Sequence, residues 1–131
     1  MIKLKPISRN QFKREVLLSK ASVRWMIWYA INKIDGISYF HYFNQNQSCG
    51  VCFIVNKESH HEVGILIRQS FRNKGLGKKL VNELIEKKEQ PIIFTVSNSN
   101  SISKSFFNNF VELGQLDSYQ KECNTIYKTL S

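Results

Sequence analysis

The stretch RQSFRNKGLGKKL, residues 68–80, limits what this chain can fold into more than any other. It holds two glycines, Gly75 and Gly77, among five basic residues, Arg68, Arg72, Lys74, Lys78 and Lys79. The apolar run EVGILI precedes it, and a helical pattern follows with Leu76, Leu80, Val81, Leu84 and Ile85 on one face. Glycines at a strand-to-helix turn let successive backbone N–H groups point the same way, because no Cβ restricts the turn. Those groups are the unpaired donors of a helix N-terminus, and the helix dipole adds partial positive charge there. The stretch is therefore built as a phosphate cradle ringed by cations. A dinucleotide fingerprint would need a third glycine and a βαβ start. A P-loop would need Ser or Thr where Lys79 follows Gly77-Lys78, and an earlier glycine that is absent.

The elements around the cradle follow from local signals. IKLKPI alternates and predicts a first strand. Ser8 and Gln11 spell a capping box, with Ile7 and Phe12 as its hydrophobic staple, and Phe12, Val16 and Leu17 form the apolar face of the helix that follows. Ser19 and Ser22 predict a break and a second N-cap, and VRWMIWYAIN a short apolar helix ending before the Asp35-Gly36 turn. ISYFHYF and CGVCFIV read as a hairpin joined by the polar loop NQNQS, with NKESHH as the next turn. In the helix after the cradle, Glu83 has Lys79 and Lys87 at four-residue spacing as ion-pair partners. Pro91 stops that helix, IIFTV reads as a buried strand, and NSISKSFFNNF as a helix entered through a Ser/Asn cap. Two weaker strands are expected around VELGQL and NTIYKTL. The order is β-α-α-β-β-β-α-β-α-β-β, an α/β fold with a mixed central sheet of about seven strands flanked by about four helices.

A length of 131 residues fits one domain, 1–131. No apolar run reaches the ~20 residues of a membrane span. MIKLKPISRN lacks the apolar core of a secretory signal, so a cytoplasmic location with reduced thiols is expected and no membrane partner. Three cysteines, Cys49, Cys52 and Cys123, do not make a disulfide framework. Cys49-x-x-Cys52 with His60 and His61 makes a poor zinc site: alternation on a strand sends the two thiols to opposite faces, and there is no second CxxC, so no metal is expected. A net charge of +9 suits nucleic acid, a phosphate-rich small molecule or an acidic protein surface. The charges are spread along the chain and no aromatic-basic strand motif is present, which places nucleic acid last among these. WMIWYA reads as core, with an acceptor-pocket wall or a homodimer face as the alternatives.

Arg72-Asn73-Lys74-Gly75-Leu76-Gly77 resembles the R-x-x-G-x-G of the GNAT acetyltransferases. Asn100-Ser101-Ile102-Ser103-Lys104-Ser105-Phe106-Phe107 stands where that family carries N-x-x-[AS]-x-x-[FY]-Y. The resemblance is strongest over residues 62–107. It implies a sheet splayed between its fourth and fifth strands. It also implies direct acyl transfer from acetyl-coenzyme A to a primary amine in a ternary complex. On this resemblance Leu66 and Ile67 offer backbone groups to the pantetheine arm. Arg72, Asn73, Lys74, Gly75, Leu76, Gly77 and Lys78 hold the pyrophosphate. Asn100 hydrogen-bonds the pantetheine, with Ser103 and Phe107 beside it on the same helix.

Glu62 stands where the family often carries its general base, needed because a lysine-type amine has a pKa of about 10. His60 and His61 are the alternatives. The family's tyrosine acid is replaced by Phe107, and the Gly-Phe usual after that helix is absent from FFNNFVELG. The acid role then falls to Tyr119 or Tyr127, or to none, since a thiolate of pKa about 8.5 can leave unaided. Three readings stand. One is an N-acetyltransferase acting on an amine-bearing small molecule or protein, with residues 22–34 and 43–50 shaping the acceptor site. Another is a coenzyme A-binding module of the same fold without turnover, for which Phe107 argues. The third is a nucleic-acid or tRNA-directed acetyltransferase.

Overall fold

The computed structural model describes residues 2–18, 25–67, 71 and 75–130. The elements follow the expected order: β1 (Ile2–Ile7), α1 (Arg9–Leu17), α2 (Trp25–Ile31), β2 (Ile37–Asn44), β3 (Gln47–Asn56), β4 (His61–Ile67), α3 (Leu76–Lys87), β5 (Ile92–Ser97), α4 (Ser101–Glu112), β6 (Leu116–Lys121) and β7 (Asn124–Thr129). The seven strands form one mixed sheet in the order β1-β2-β3-β4-β5-β7-β6. Every neighbouring pair is antiparallel except β4 and β5. Those two run parallel and pair only at His61↔Ile92 and Glu62↔Ile93. Beyond that rung β4 continues to Ile67 on β3 and β5 to Ser97 on β7 without pairing to each other, so the sheet forks between its fourth and fifth strands.

Local chemistry explains each boundary. The Gln11 N–H donates to Ser8 Oγ (3.1 Å) and the Ser8 N–H to Gln11 Oε1 (2.9 Å), closing the capping box of α1. Phe12 and Val16, one turn apart, are buried. Leu17 is 58% exposed and does not belong to that face, because it lies about 100° further round the helix than Val16. Met26 and Ala30 bury α2, while Trp28 and Ile31 face outward, so WMIWYA is core on one side only. The expected break at Ser19 and cap at Ser22 lie outside the described residues.

The β2–β3 hairpin is tighter than NQNQS suggested. Its turn is Gln45-Asn46, with φ of 51° and 67°. Two consecutive positive φ values match the twist of the flanking strands, and the strands extend to the turn accordingly. On β3, Tyr42 pairs with Gly50 and Phe43 with Ser48, leaving Cys49 as the extra residue of a β-bulge. The bulge breaks the alternation expected of Cys49 and Cys52. Cys49 packs with Tyr42 and Leu80 on the α3 side, and Cys52 points to that side too, since Val51, Phe53 and Val55 all face α1 and α2. Among the described residues no three His, Cys, Asp or Glu side chains are grouped to hold a metal ion.

α4 runs through Val111 and Glu112, so the strand expected around VELGQL starts only at Leu116. Gly114 (φ 74°) ends the helix in a Schellman motif: the Gln115 N–H donates to the Phe110 carbonyl (2.9 Å) and the Gly114 N–H to that of Val111 (3.0 Å). The departure after FFNNF is thus a longer helix, with Leu116 as the buried residue beyond its cap. α1 and α2 cover one face of the sheet through Phe12, Val16 and Met26 against Val51 and Phe53. α3 and α4 cover the other, with Val81, Phe107 and Phe110 against Phe94 and Tyr127. Among the described residues no helix is long and apolar enough to cross a membrane.

Candidate active site

The fork opens into a cleft of about 700 Å³. One wall is residues 63–67 of β4 and the other residues 94–97 of β5. The first turn of α3 closes one end, and α4 lies alongside. Two of the expected cofactor-side residues, Leu66 and Ile67, are on the β4 wall, and Asn100, Ser103 and Phe107 are on the α4 side.

Gly75 is the N-cap of α3 and takes the left-handed φ of 75° that glycine adopts without penalty. The first intrahelical bond runs from the Lys79 N–H to the Gly75 carbonyl (3.1 Å), so the N–H groups of Leu76, Gly77 and Lys78 precede the helix ladder. At Gly77 an added Cβ would lie 3.4 Å from the Phe106 ring of α4. The Tyr42 hydroxyl donates to the Leu76 carbonyl (3.0 Å) and ties this turn to β2. Burial, then the nearby Cys49 and Glu83, push that phenol up to about 12, so it stays a donor at any working pH. Lys78 is exposed at the cleft mouth. Lys79 instead donates to Asn44 Oδ1 (3.1 Å), and Glu83 keeps Lys87 at 3.8 Å. Arg68, Arg72, Asn73 and Lys74 lie outside the described residues.

Asn100 caps α4, its Oδ1 accepting from the Ser103 N–H (3.1 Å). The carboxamide oxygen is committed to the cap, and the NH₂ group is the part suited to a ligand. Phe107 is 8% exposed, between Phe94 (4.9 Å) and Tyr127, on which it stacks at 5.2 Å and 27°. Neither tyrosine named as a candidate acid lines the cleft. Tyr127 is fully buried behind Phe107, and its hydroxyl donates to Asn108 Oδ1 (2.7 Å). Tyr119 is half exposed on β6.

Glu62 sits on the last rung shared by β4 and β5. By strand alternation it faces the α1/α2 side together with Gly64 and Leu66. Its Oε1 accepts from the Tyr29 hydroxyl at 2.5 Å, and its Oε2 lies 3.5 Å from Lys57 Nζ. Tyr29 stacks on Phe53 at 4.1 Å and 18°. The Phe53 ring occupies the space over Gly64, where a Cβ would come within 2.0 Å of it. The Tyr29 carbonyl accepts from the Tyr39 hydroxyl (2.6 Å). Burial, then the hydrogen bond and charge of Glu62, hold the Tyr29 phenol well above its ordinary range. His60 is pushed below its usual value by burial and then by Lys57, which favours the neutral imidazole, and its Nδ1 lies 3.0 Å from Ser59 Oγ. Tyr29 was missed from sequence because its run reads as core; the only signal was an excess of aromatic residues in a short helix.

The sequence profile of the Acetyltransferase (GNAT) family matches residues 6–110. The chain belongs to the GNAT acetyltransferase family. Solved GNAT-like structures share its fold across nearly its whole length. An acetyltransferase from Thermus thermophilus superposes with a TM-score of 0.69 at 15% identity, covering 98% of this chain and 96% of that one. The N-acetyltransferase PseH of Campylobacter jejuni, in complex with acetyl coenzyme A, gives 0.65 at 16% identity with both chains covered in full. The PaiA N-acetyltransferase of Thermoplasma acidophilum, in complex with coenzyme A, gives 0.67 at 13%, covering 100% and 99%. At these identities the likeness is one of fold. No curated protein matches the chain by sequence.

Proposed function

We propose that this protein transfers the acetyl group of acetyl-coenzyme A directly to a primary amine, with donor and acceptor held together at the fork between β4 and β5. The observation that carries the reading is the fork itself: in a GNAT chain, one cleft joins a glycine-capped helix N-terminus to the strand that bears Glu62. Membership of the family makes acetyl-coenzyme A the donor. The residues present fit it. The first turn of α3 and Lys78 suit the pyrophosphate, with Arg72, Asn73 and Lys74 leading in. Leu66 and Ile67 lie where β4 has parted from β5, a place suited to the pantetheine arm, as is the NH₂ of Asn100. Ser103 and Phe107 border the same space.

When bound, acetyl-coenzyme A supplies a thioester acetyl whose sulfur departs as the amine bonds to the carbonyl carbon. Glu62 takes the proton of the acceptor's ammonium, which at a pKa of about 10 would otherwise not be nucleophilic. A β4 backbone N–H at the fork donates to the carbonyl oxygen. Phe107 has no proton to give, and the Tyr127 hydroxyl is committed to Asn108. Departure as thiolate is the favoured reading, the second proton shed by the acylated nitrogen going to that thiolate through solvent, so Tyr127→Phe and Tyr119→Phe will each leave kcat within about threefold of wild type. A loss of about 10² or more, the size of a general-acid contribution, would assign the acid to that tyrosine.

Calorimetry with acetyl-coenzyme A, then thiol release against a panel of amines, tests the whole. Binding followed by release is expected. Phe107 specifically favours a second reading, a coenzyme A-binding module without turnover. Binding with no release on any amine, unrescued by Phe107→Tyr, would make that the function.

A further inference from the structure

We infer that Tyr29 is a positioning residue for the reaction: its hydroxyl fixes the carboxylate of Glu62 at the fork, so that α2 sets the geometry of the base. The inference rests on the reading of Glu62 as that base. A glutamate side chain has three rotatable bonds, and holding it in one orientation needs partners that are themselves fixed. Lys57 is a weak candidate: its side chain is half exposed and flexible, and its ion pair at 3.5 Å is the kind that solvent screens. Tyr29 is different in kind. Its ring is clamped on Phe53, Phe53 lies in the space left by Gly64, and the Tyr29 backbone is tied to Tyr39. The hydroxyl thus reaches Glu62 Oε1 at 2.5 Å from a side chain held by its ring stacking and its backbone tie.

The elevated phenol range keeps that proton on Tyr29, so the bond is O–H donating to carboxylate, the charge-assisted type. The second lone pair of Oε1, and Oε2, remain for the acceptor's proton. The other groups around the carboxylate are Lys57 and His60 of the β3–β4 turn, His61 beside it, and Lys128 of β7, which shares the Glu62–Ile93 register row.

The test is the position of the Glu62 carboxyl carbon resonance by NMR at one fixed neutral pH, in full-length protein labelled with ¹³C-glutamate. The Glu62→Gln variant identifies the resonance. Tyr29→Phe removes the charge-assisted hydrogen bond from the carboxylate, so the Glu62 resonance will move clear of its wild-type position at the same pH. Lys57→Gln will move it less than half as far. Tyr29→Phe retains the ring on Phe53, and unchanged acetyl-coenzyme A binding will show that the fold is intact. On the best amine of the panel, Tyr29→Phe will lower kcat by about 10- to 100-fold, the cost of a misplaced catalytic group, and will add nothing in a Glu62→Gln background. An unmoved resonance overturns the inference, as does a Tyr29→Phe loss that adds fully to that of Glu62→Gln. Wild-type turnover in Glu62→Gln would instead overturn the reading of Glu62 as the base, and Tyr29's part in the reaction with it.

Discussion

In Gly77→Glu, calorimetry will show no acetyl-coenzyme A binding at concentrations that saturate the wild type. The variant separates folding from binding better than most. A glutamate in the first turn of a helix is favoured by the helix dipole, by roughly 0.3–1 kcal/mol. Its Cβ would meet the Phe106 ring at 3.4 Å, an ordinary contact, so α3 and α4 keep their packing. The carboxylate, however, sits among the N–H groups of residues 76–78 that precede the helix ladder. A unit charge about 4 Å from a phosphate oxygen costs roughly 4 kcal/mol at an effective dielectric of 20, near three powers of ten in affinity. Gly77→Ala adds the same Cβ without the charge and will bind within about threefold of wild type. Gly75→Glu will also abolish binding, but it adds strain at a left-handed position, roughly 1–2 kcal/mol. Wild-type affinity in both glutamate variants would remove the pyrophosphate from this turn.

The elements legible in the sequence are those whose signals are local. The Ser8–Gln11 box, the Asn100 cap and the glycine turn each lie within a few residues of their partners, and each forms where the sequence puts it, whereas α3 already ends at Lys87, ahead of the expected stop at Pro91. Elsewhere a neighbour in space decides the outcome. Leu17 is as apolar as Val16, but only the position of β3 under α1 determines which is buried. Cys49 and Cys52 share a side because a bulge interrupts β3, and the bulge is visible only in the pairing with β2. Glu112 extends α4 because Gly114, not the apolar pattern, sets its end.

The site divides in the same way. The phosphate turn is a contiguous motif and could be read. The environment of Glu62 is assembled from residues far apart: Tyr29 is 33 residues before it, and Phe53, which fixes Tyr29, is on another strand. No spacing in the chain encodes that contact. Phe107 could be seen as a departure from the family pattern, but that the nearest buried tyrosine hydroxyl is spent on Asn108 could not.

Replacing Glu62 by Gln will lower kcat by about 10²–10⁴, the range of general-base contributions, while leaving the dissociation constant for acetyl-coenzyme A near that of wild type. Structure gives the reason to expect a clean separation. The side chain faces the α1/α2 side of the sheet, away from the first turn of α3 that would take up the pyrophosphate. Glutamine has nearly the same shape, and its amide oxygen can still accept from Tyr29. What is lost outright is the ion pair with Lys57, half exposed and worth no more than about 1 kcal/mol. The fold is therefore preserved and the loss falls on proton removal. The ascending limb that the base gives wild-type kcat/KM should be replaced in Glu62→Gln by one that follows the free-amine fraction of the acceptor, centred near its pKa of about 10. His60 provides the discriminating control, because burial and then Lys57 favour its neutral imidazole, the form able to accept a proton. If Glu62→Gln retains the limb and His60→Gln loses it, the base is His60. If both retain it, the proton leaves through solvent, and the carboxylate at the fork has another use.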